Sequence, residues 1–502
     1  ILQSGLCEDL SNSYFSTALR YIMYGFGVRG VKKGKEKLFE KFIFEQLNKI
    51  IKDGISQDEI ESALMSQDFS NREIRRASGG PYSLVLMQRA YRNWMNGSNP
   101  AGSISCNEVF NKIKENIKNN NDYLNTLIEK YLLNNNSRIC LTVIPDKKYN
   151  KKFDKILKNK IDLICKSVPK KERKSFFEKI KTDTKKLNEF QKTPETPENC
   201  NLIPHLTSKD IKVKFEKSTI EKSEILGVDI YENKENVNGI VYINLCFPID
   251  LLEPKDYSFL SFYADVLTNL GFGGKSWIES SLISTKCTGD FTSTIINSSC
   301  PKSFYEKIGC KDLKDAQLME YLYKYDPNIA RNWLVVRIKM LEEKTEEAVK
   351  MLFSAIKTVD FSDTERLSDL LTEYTNDLCS SITSMGYNYP SMRASCKMSK
   401  NNAIDEILCG VSQLFAIKSQ DFSKQNIKSL QSKLEQIHKT IIDSGFIVHL
   451  VAEESGLEKA KSCLKQQIQE FPCYKGKVKP PFMCSDDEFY KLTEIQGDSE
   501  QL

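Results

Sequence analysis

The sequence predicts an α+β fold in which two α/β-sandwich domains, the first of them incomplete, are joined by a helical hairpin. Short alternating apolar segments, typical of half-buried strands, are interspersed with amphipathic helices in both halves of the chain. Between the halves, two highly charged helices are followed by a proline-rich stretch. The 502 residues, 40% of them hydrophobic, are sufficient for more than one core.

Charge and composition narrow the functional classes. Lys and Arg total 72 against 67 Asp and Glu, and the net charge of +5 is too balanced for a dedicated nucleic-acid binder. No run of about 18 apolar residues is present, so no membrane partner is predicted. The chain begins without Met in mid-pattern, and we expect a fragment of a longer protein. Fifteen scattered cysteines without a CxxC pair predict mostly buried free thiols in an intracellular reducing compartment.

Residues 1–146 are predicted to form the C-terminal part of the first domain. A helix is expected at Glu36–Asp53, where the apolar residues share one face. Ser56 and Glu59 form a capping box that opens a second helix toward Arg76.

The remainder of this domain should contain a third helix and a closing strand. The helix is predicted at Leu84–Trp94, after a break at Gly79–Pro81. The segment Arg138–Ile144 alternates apolar and polar residues and is followed by Pro145, which predicts a half-buried strand.

Residues 147–212 are predicted to be a helical hairpin and a linker. Two amphipathic helices separated by Pro169 should each pack one apolar stripe and leave the other faces solvated. Thr193 to about Lys212 is rich in proline and should be an extended linker that no helix absorbs. The stripe residues are Phe153, Leu157, Ile161 and Ile164 in the first helix and Phe176, Ile180, Leu187 and Phe190 in the second.

Residues 213–485 are predicted to form a second α+β domain, and residues 486–502 a tail or linker with little periodicity. The apolar repeat Phe259 to Leu270 predicts a helix that ends at Gly271. Further helices are expected at Glu343–Lys357 and Asp363–Ser381. Strands are predicted at Leu226–Tyr231, Ile240–Phe247, Phe291–Asn297, Trp333–Ile338 and Phe446–Val451.

The residues by themselves supply no catalytic, cofactor-binding or metal-binding site. The three histidines, His205, His438 and His449, form neither HxxEH nor HExxH and are interpreted as structural or surface residues. Gly271 to Ser276 resembles the end of a phosphate loop, but its spacing fails and it follows a helix, so a glycine-rich turn is predicted. No GxSxG elbow surrounds a serine, and no cysteine has a persuasive histidine partner.

Lysine pairs are frequent in the hairpin and could contact phosphates. They alternate with acidic residues and lack interleaved aromatics, so a solvated helix face is the interpretation. The pairs are Lys151 with Lys152, Lys170 with Lys171, and Lys185 with Lys186.

Several segments, taken in order, resemble the presequence protease and falcilysin group of pitrilysin-like zinc metallopeptidases, insulinase-like enzymes of the pitrilysin clan. The stretches around Ser4–Ser11 and Val28–Val31 are similar to the family's SGLG-D-S and GL-GV segments, and Leu133–Asp146 to its LLNN-HR…PD strand. Thr193–Ile211 resembles its Q-TP-PP…IP-L-DI linker.

The second half carries further similar segments. Leu267–Gly271 resembles the family's LL--LG helix end, and Thr288 with Gly289 its KTGG motif, in which Asp290 replaces the second glycine. Gly386–Ala394 resembles SGH-YASIRA, with Tyr387 in place of the histidine.

The resemblance implies the end of domain 2, the hinge hairpin and domain 3 of such an enzyme. In that family an HxxEH helix of the first domain holds zinc, and an Arg and a Tyr of the last domain steady the oxyanion. Neither motif occurs here, so no catalytic or zinc residue is carried over, and this piece is expected to be inactive. The resemblance implies that this piece supplies the hinge and part of the wall of a chamber that admits short unfolded peptides. Its partner would be a zinc-bearing N-terminal half, in the same chain or in a separate one. Such relatives also imply an organelle, a mitochondrion or plastid.

Two alternatives remain open at this point. One is a natural non-catalytic subunit of a split peptidase, paired with a separate zinc-bearing protein. The other is a basic binding module in which the hairpin lysines contact an acidic partner or nucleic acid, the latter being disfavoured by the charge balance.

Overall fold

A computed structural model of the chain describes residues 1, 4–16, 20–74, 80–211, 218–300, 302–309, 315–329, 331–418, 427–471, 478–482 and 484–494. These residues divide into two compact units. The first comprises residues 1–135 together with 218–502, and the second comprises residues 136–217. The predicted α+β class is confirmed.

The first unit begins with an antiparallel two-stranded ribbon and a set of helices. Ser56 accepts a hydrogen bond from the backbone N–H of Glu59, and Glu59 bonds back to the Ser56 N–H, so the predicted capping box is confirmed. The elements are β1 (Asp9–Ser16), β2 (Met23–Arg29), α1 (Glu36–Asp53), α2 (Gln57–Arg72), α3 (Tyr82–Met95), α4 (Asn107–Asn119) and α5 (Tyr123–Ile128), with a 3-10 turn at Pro100–Ser103 and a π turn at Glu129–Leu133. The predicted extension of α2 to Arg76 is wrong, because the helix ends at Arg72 and Glu73 already has an extended backbone. The predicted break at Gly79 lies outside the described residues.

The second unit contains the predicted hairpin, α6 (Tyr149–Ser167) and α7 (Arg173–Lys192), and a short helix α8 (Pro197–Asn201). The linker prediction is wrong at α8. Pro197 occupies the first helical turn, where its missing N–H would have had no partner, and Thr196 caps the helix from its side chain. The prediction that one stripe of each helix is packed is also wrong for most of its residues: apart from Phe176, the stripe side chains are between 47% and 78% exposed.

The strand predicted at Arg138–Ile144 is not formed. Its residues have no regular structure, and Ile139, Leu141 and Val143 are 95%, 82% and 84% exposed. A strand forms only by pairing with another strand, and none of the described strands pairs with this segment, so its alternating pattern is not used for a sheet.

The remainder of the first unit is a six-stranded sheet with helices. Its strands lie in the order β3-β4-β8-β5-β7-β6, with β4 and β8 parallel and the other neighbours antiparallel. The strands are β3 (Glu221–Ile225), β4 (Val228–Lys234), β5 (Ile240–Pro248), β6 (Asp290–Ile296), β7 (Trp333–Leu341) and β8 (Ile447–Ala452). The five strands predicted here are therefore confirmed, and β3 is an addition.

The helices of this part are α9 (Leu260–Asn269), α10 (Trp277–Cys287), α11 (Lys302–Lys307), α12 (Asp315–Tyr325), α13 (Thr345–Thr358), α14 (Thr364–Ser384), α15 (Asn388–Ser395), α16 (Lys400–Cys409), α17 (Val411–Lys418), α18 (Ile427–Asp443), α19 (Glu454–Glu470) and α20 (Asp486–Leu492). 3-10 turns lie at Pro254–Phe259 and Glu342–Lys344. The predicted tail is wrong at α20, where Phe489 is buried with its ring 5.0 Å from that of Tyr257. A single apolar anchor on a short helix gives no periodic signal.

The core lies on one face of the six-stranded sheet. In β5 the side chains of Val241, Ile243, Leu245 and Phe247 are at most 1% exposed, and they belong to one cluster with residues of α9, α13, α18 and α19. Alternate residues of the same strands point to the opposite face. Polar side chains on that face form a hydrogen-bond network.

Candidate functional site

The histidines lie in three different environments. His438 is half-buried against Tyr263, whose hydroxyl is 2.9 Å from Nδ1, and desolvation lowers the pKa of His438 to about 4. Nε2 of His205, in the second unit, lies 2.6 Å from the carbonyl oxygen of Cys200. His449 belongs to the sheet. These contacts agree with the structural interpretation, and among the described ranges no three His, Cys, Asp or Glu side chains converge to hold a metal ion.

The glycine-rich segment after α9 is a turn between two helices, as predicted. Gly273 and Gly274 have φ of +64° and +71°, which favours glycine at both positions. Ser276 then caps α10, accepting a hydrogen bond from the Glu279 N–H at 3.3 Å and donating its own N–H to the Glu279 carboxylate at 3.0 Å. The local amides therefore serve the helix start.

A cavity of about 310 Å³ lies beside this turn, bordered by Trp277, Arg366 and hydroxyl-bearing residues of α10. The Arg366 guanidinium lies 4.1 Å from the centre of the Trp277 ring, and its Nε donates to the carbonyl oxygen of Asn269 at 3.4 Å. Burial lowers the pKa of Arg366, while Glu373, Asp369, Asp265 and Asp363 oppose this. Since its charge is already compensated by these acids, this cavity is a poor anion site.

The segment that resembles the KTGG motif has a structural role. Gly289 lies directly against the ring of Phe69 from α2, and its N–H donates to the carbonyl oxygen of Lys339 at 2.7 Å. Lys339 is buried and pairs with Glu73 and Asp290, each at 3.1 Å. Asp290, which replaces the family's second glycine, thus contributes to a buried ion cluster that joins α2 to the sheet.

The segment resembling SGH-YASIRA also builds a buried polar cluster. Nη1 of Arg393 donates to the Glu406 carboxylate at 3.4 Å and to the Ser412 hydroxyl at 3.2 Å. Glu406 is fully buried, and its Oε1 also accepts the Ser412 N–H at 3.0 Å. The geometry fixes the packing of α15 against α16 and α17.

The opposite face of the sheet carries a directed chain of hydrogen bonds across four strands. Nε of Arg337 donates to Oδ1 of Asn244 at 2.7 Å, and Nδ2 of Asn244 donates to Nδ1 of His449 at 3.0 Å. Nε2 of His449 therefore carries the proton and donates to Oδ1 of Asn233 at 2.9 Å. Asn233 in turn donates to the carbonyl oxygen of Thr219 at 3.0 Å.

The surroundings of His449 in this hydrogen-bond network favour its neutral form. Burial, and then the nearby positive charge of Arg337, lower the pKa of His449. Sequence reasoning missed Arg337. The available signal was one arginine in the centre of the nearly continuous apolar strand β7, where burying a charge is costly unless a partner is provided.

The hairpin helices expose most of their side chains. Lys151, Lys152, Lys170, Lys171 and the pair Lys185–Lys186 are all exposed, in agreement with the predicted solvated face. At the turn, Arg173 donates from Nε to the carbonyl oxygen of Val168 at 3.2 Å, and the Glu172 N–H donates to that of Pro169 at 2.9 Å. None of the described helices is long and apolar enough to cross a bilayer.

The described cysteines are free, as predicted, but the expectation that most are buried is wrong. Cys287 and Cys396 are buried, whereas Cys140, Cys200 and Cys409 are exposed. Burial raises the pKa of Cys246 to about 12 and that of Cys287 to about 11, so both thiols are protonated near neutral pH.

The geometry thus defines an α+β sheet domain that follows a helical hairpin, without a catalytic constellation among the described side chains. The chain belongs to the family of regions associated with peptidases of family M16, subfamily C, since the sequence model of that family matches residues 143–310 and 321–419, more than half of the chain. The resemblance to presequence proteases of the pitrilysin clan is confirmed by this match and by curated relatives.

Three of the similar proteins show how much of a relative the chain covers. An uncharacterized protein of Borreliella burgdorferi is 24% identical over 95% of this chain and 46% of its own length. Protein HypA of Clostridium perfringens is 22% identical over 93% of this chain and 45% of its own length. Presequence protease 1, chloroplastic/mitochondrial, of Arabidopsis thaliana is 21% identical over 94% of this chain and 41% of its own length. The chain therefore spans less than half the length of these relatives.

Among solved structures, a peptidase M16 inactive domain from Pseudomonas fluorescens resembles this chain with a TM-score of 0.34 and 12% identity. The match covers 53% of this chain and 54% of that one.

Proposed function

We propose that this chain is the non-catalytic middle portion of a zinc-dependent presequence-protease-like endopeptidase that degrades short unfolded peptides. The family match, which runs from the hairpin into the sheet domain, carries this proposal. The hairpin would act as the hinge and the sheet domain as chamber wall. Zinc and the residues that activate water would belong to an N-terminal half, in the same chain or a separate one.

Exposed apolar surface supports the existence of such a half. The ribbon β1–β2 exposes aromatic residues on its strands, including Phe15 at 65% and Tyr24 at 56%, and the hairpin stripes are exposed as well. Exposed apolar residues on the ribbon, and separately on the hairpin, are typical of surfaces that bind another protein segment. A strand from the proposed half would pair with the unused strand segment at Arg138–Ile144.

The first test is activity of the native protein. Material captured with an antibody against this chain should cleave an unfolded fluorogenic peptide in a chelator-sensitive manner, and the 502-residue chain alone should not. Co-purification of a separate HxxEH protein would assign the zinc-bearing half to another chain. Absence of cleavage by the native material would contradict the peptidase proposal.

The second test addresses the hinge. Pro169→Ala combined with Arg173→Ala removes both constraints on the turn between α6 and α7, and should change kcat and KM together by altering chamber opening. Pro100→Ala, at a 3-10 turn of the first unit, is the control and should leave both constants unchanged. Unchanged kinetics in the hinge variant would refute the gating role.

The basic binding module makes a different prediction for the same exposed lysines. Binding of a DNA duplex that weakens steeply between about 50 and 200 mM salt would support it. The name of the Arabidopsis thaliana relative places that protein in chloroplasts and mitochondria, and on that basis we propose an organellar location, which imaging of the endogenous protein would check.

A further inference from the structure

Two lysines on the polar face of the sheet have carboxylate partners, whereas Arg337 has none among the described residues. Lys339 is neutralised by Glu73 and Asp290, and Lys222 forms an ion pair with Asp229 at 2.8 Å. Arg337 makes a single hydrogen bond, to the neutral Asn244, and has no carboxylate partner among the described residues. A half-buried arginine without a counter-charge is an energetic cost that a ligand can offset.

The guanidinium of Arg337 is oriented by the bond that it does make. The contact from Nε to Asn244 fixes the plane of the group, and Asn244 is held in turn by His449. The four N–H bonds on Nη1 and Nη2 are left for another partner, and their forked geometry matches the two oxygens of a carboxylate.

The groups around Arg337 do not compete with such a ligand. Burial and the charge of Arg337 lower the pKa of His449, and burial raises the pKa of the Cys246 thiol, so neither side chain offers a competing negative charge. Thr292 lies opposite Arg337 in the register of β6 and β7, is exposed, and offers a hydroxyl on the same face. The side chains of Asn244, His449, Cys246 and Thr292 therefore place no negative charge against the guanidinium, and Thr292 adds a hydroxyl donor beside it.

We propose that Arg337, positioned by Asn244 and His449, binds a carboxylate of an extended peptide lying on this face of the sheet. The inference rests on the proposed function insofar as the peptide is the substrate that lies along the chamber wall. The carboxylate is either an acidic side chain or the C-terminus of the peptide. Asn244 and His449 are positioning residues, since they act through Arg337.

Binding to the purified 502-residue chain tests this without reliance on catalysis. Four fluorescein-labelled unstructured peptides combine an internal Glu or Gln with a C-terminal carboxylate or carboxamide, and fluorescence polarisation measures each Kd. We expect one carboxylate to tighten binding about tenfold, as for a charge-assisted bidentate contact. The peptide position at which a carboxylate tightens binding shows whether the bound group is an acidic side chain or the C-terminus.

Variants separate this contact from a general charge effect. Arg337→Gln should abolish the carboxylate preference, and Arg337→Lys should retain part of it. Lys222→Gln removes one positive charge from the same face, but one that is already paired, and should retain the full preference. Equal losses in Arg337→Gln and Lys222→Gln, or no preference in the unaltered chain, would overturn the inference.

Cleavage by the native protein separates the two proposals. Chelator-sensitive cleavage without any carboxylate preference in binding would refute the Arg337 inference and leave the peptidase proposal standing. A carboxylate preference that Arg337→Gln abolishes, in a protein that cleaves no peptide, would support the binding site and contradict the peptidase proposal.

Discussion

The contact between Gly289 and Phe69 ties residues before the hairpin to the sheet domain within the first unit, and a single methyl group should disrupt it. A Cβ on Gly289 would lie inside van der Waals contact with three atoms of the Phe69 ring. That ring is 4% exposed and packs with Met65, Ile240 and Leu341, so it has little room to move. We expect Gly289→Ala to lower the free energy of unfolding by about 1–3 kcal/mol, the range for overpacking.

A double-mutant cycle shows whether the ring is the cause. Phe69→Ala alone should cost about 3–5 kcal/mol, because it leaves a cavity at a buried site. In that background the methyl group of Gly289→Ala has space, and its additional cost should vanish, which gives a coupling of about 1–3 kcal/mol. Urea denaturation followed by tryptophan fluorescence measures all four proteins.

Gly102→Ala provides the matched control, since a Cβ there meets nothing within 4 Å and should change stability by less than about 0.5 kcal/mol. If the Gly289 and Phe69 effects are simply additive, the clash is relieved elsewhere and the reasoning from this contact is refuted.

Further predictions concern a cap, a histidine and a buried ion pair. Ser276→Ala should cost about 1 kcal/mol in urea denaturation through loss of the α10 cap, whereas Ser281→Ala within the same helix should cost less. Burial lowers the pKa of His438 to about 4 in the folded protein, so the unfolded protein binds the proton more readily and the free energy of unfolding falls between about pH 6.5 and pH 4. Urea denaturation at pH 7 and at pH 4 measures this fall, and His438→Gln should make it smaller by about 3 kcal/mol. Arg331 donates from Nε to the Asp250 carboxylate at 2.8 Å, and Arg331→Met would leave that carboxylate without its cationic partner. We expect the free energy of unfolding to fall by about 3–5 kcal/mol, and a fall below about 1 kcal/mol would show that water replaces the guanidinium.

Five strands of the sheet domain and its helices α9, α13 and α14 could be predicted because their burial follows a simple period. Val241, Ile243, Leu245 and Phe247 alternate into the core, and the structure forms β5 over the same residues. Helix α1, which ends at Gly54, and the start of α2 at its capping box were predicted equally well. In these cases local sequence and tertiary packing agree.

The side chains of greatest chemical interest could not be predicted, because their significance depends on pairing across strands. Arg337, Asn244 and His449 come from three strands distant in sequence, and register alone brings them together. The sequence showed His449 only as an isolated histidine in a strand. A lone polar residue in an apolar strand indicates that a partner exists but does not identify it.

The segment Arg138–Ile144 shows the converse relation between pattern and structure. Its alternation specifies which side chains should be buried, but burial requires a neighbouring strand, and Ile139, Leu141 and Val143 are at least 82% exposed. Fully burying three such side chains is worth about 1.5–3 kcal/mol each, so the segment should gain roughly 5–9 kcal/mol of apolar burial when a sheet is supplied. That gain is a physical basis for association with the proposed zinc-bearing half. Ile139→Asp and Val143→Asp together should weaken that association in pull-down while leaving the urea denaturation of this chain unchanged, and undiminished association would show that the segment is not the strand that joins the two halves.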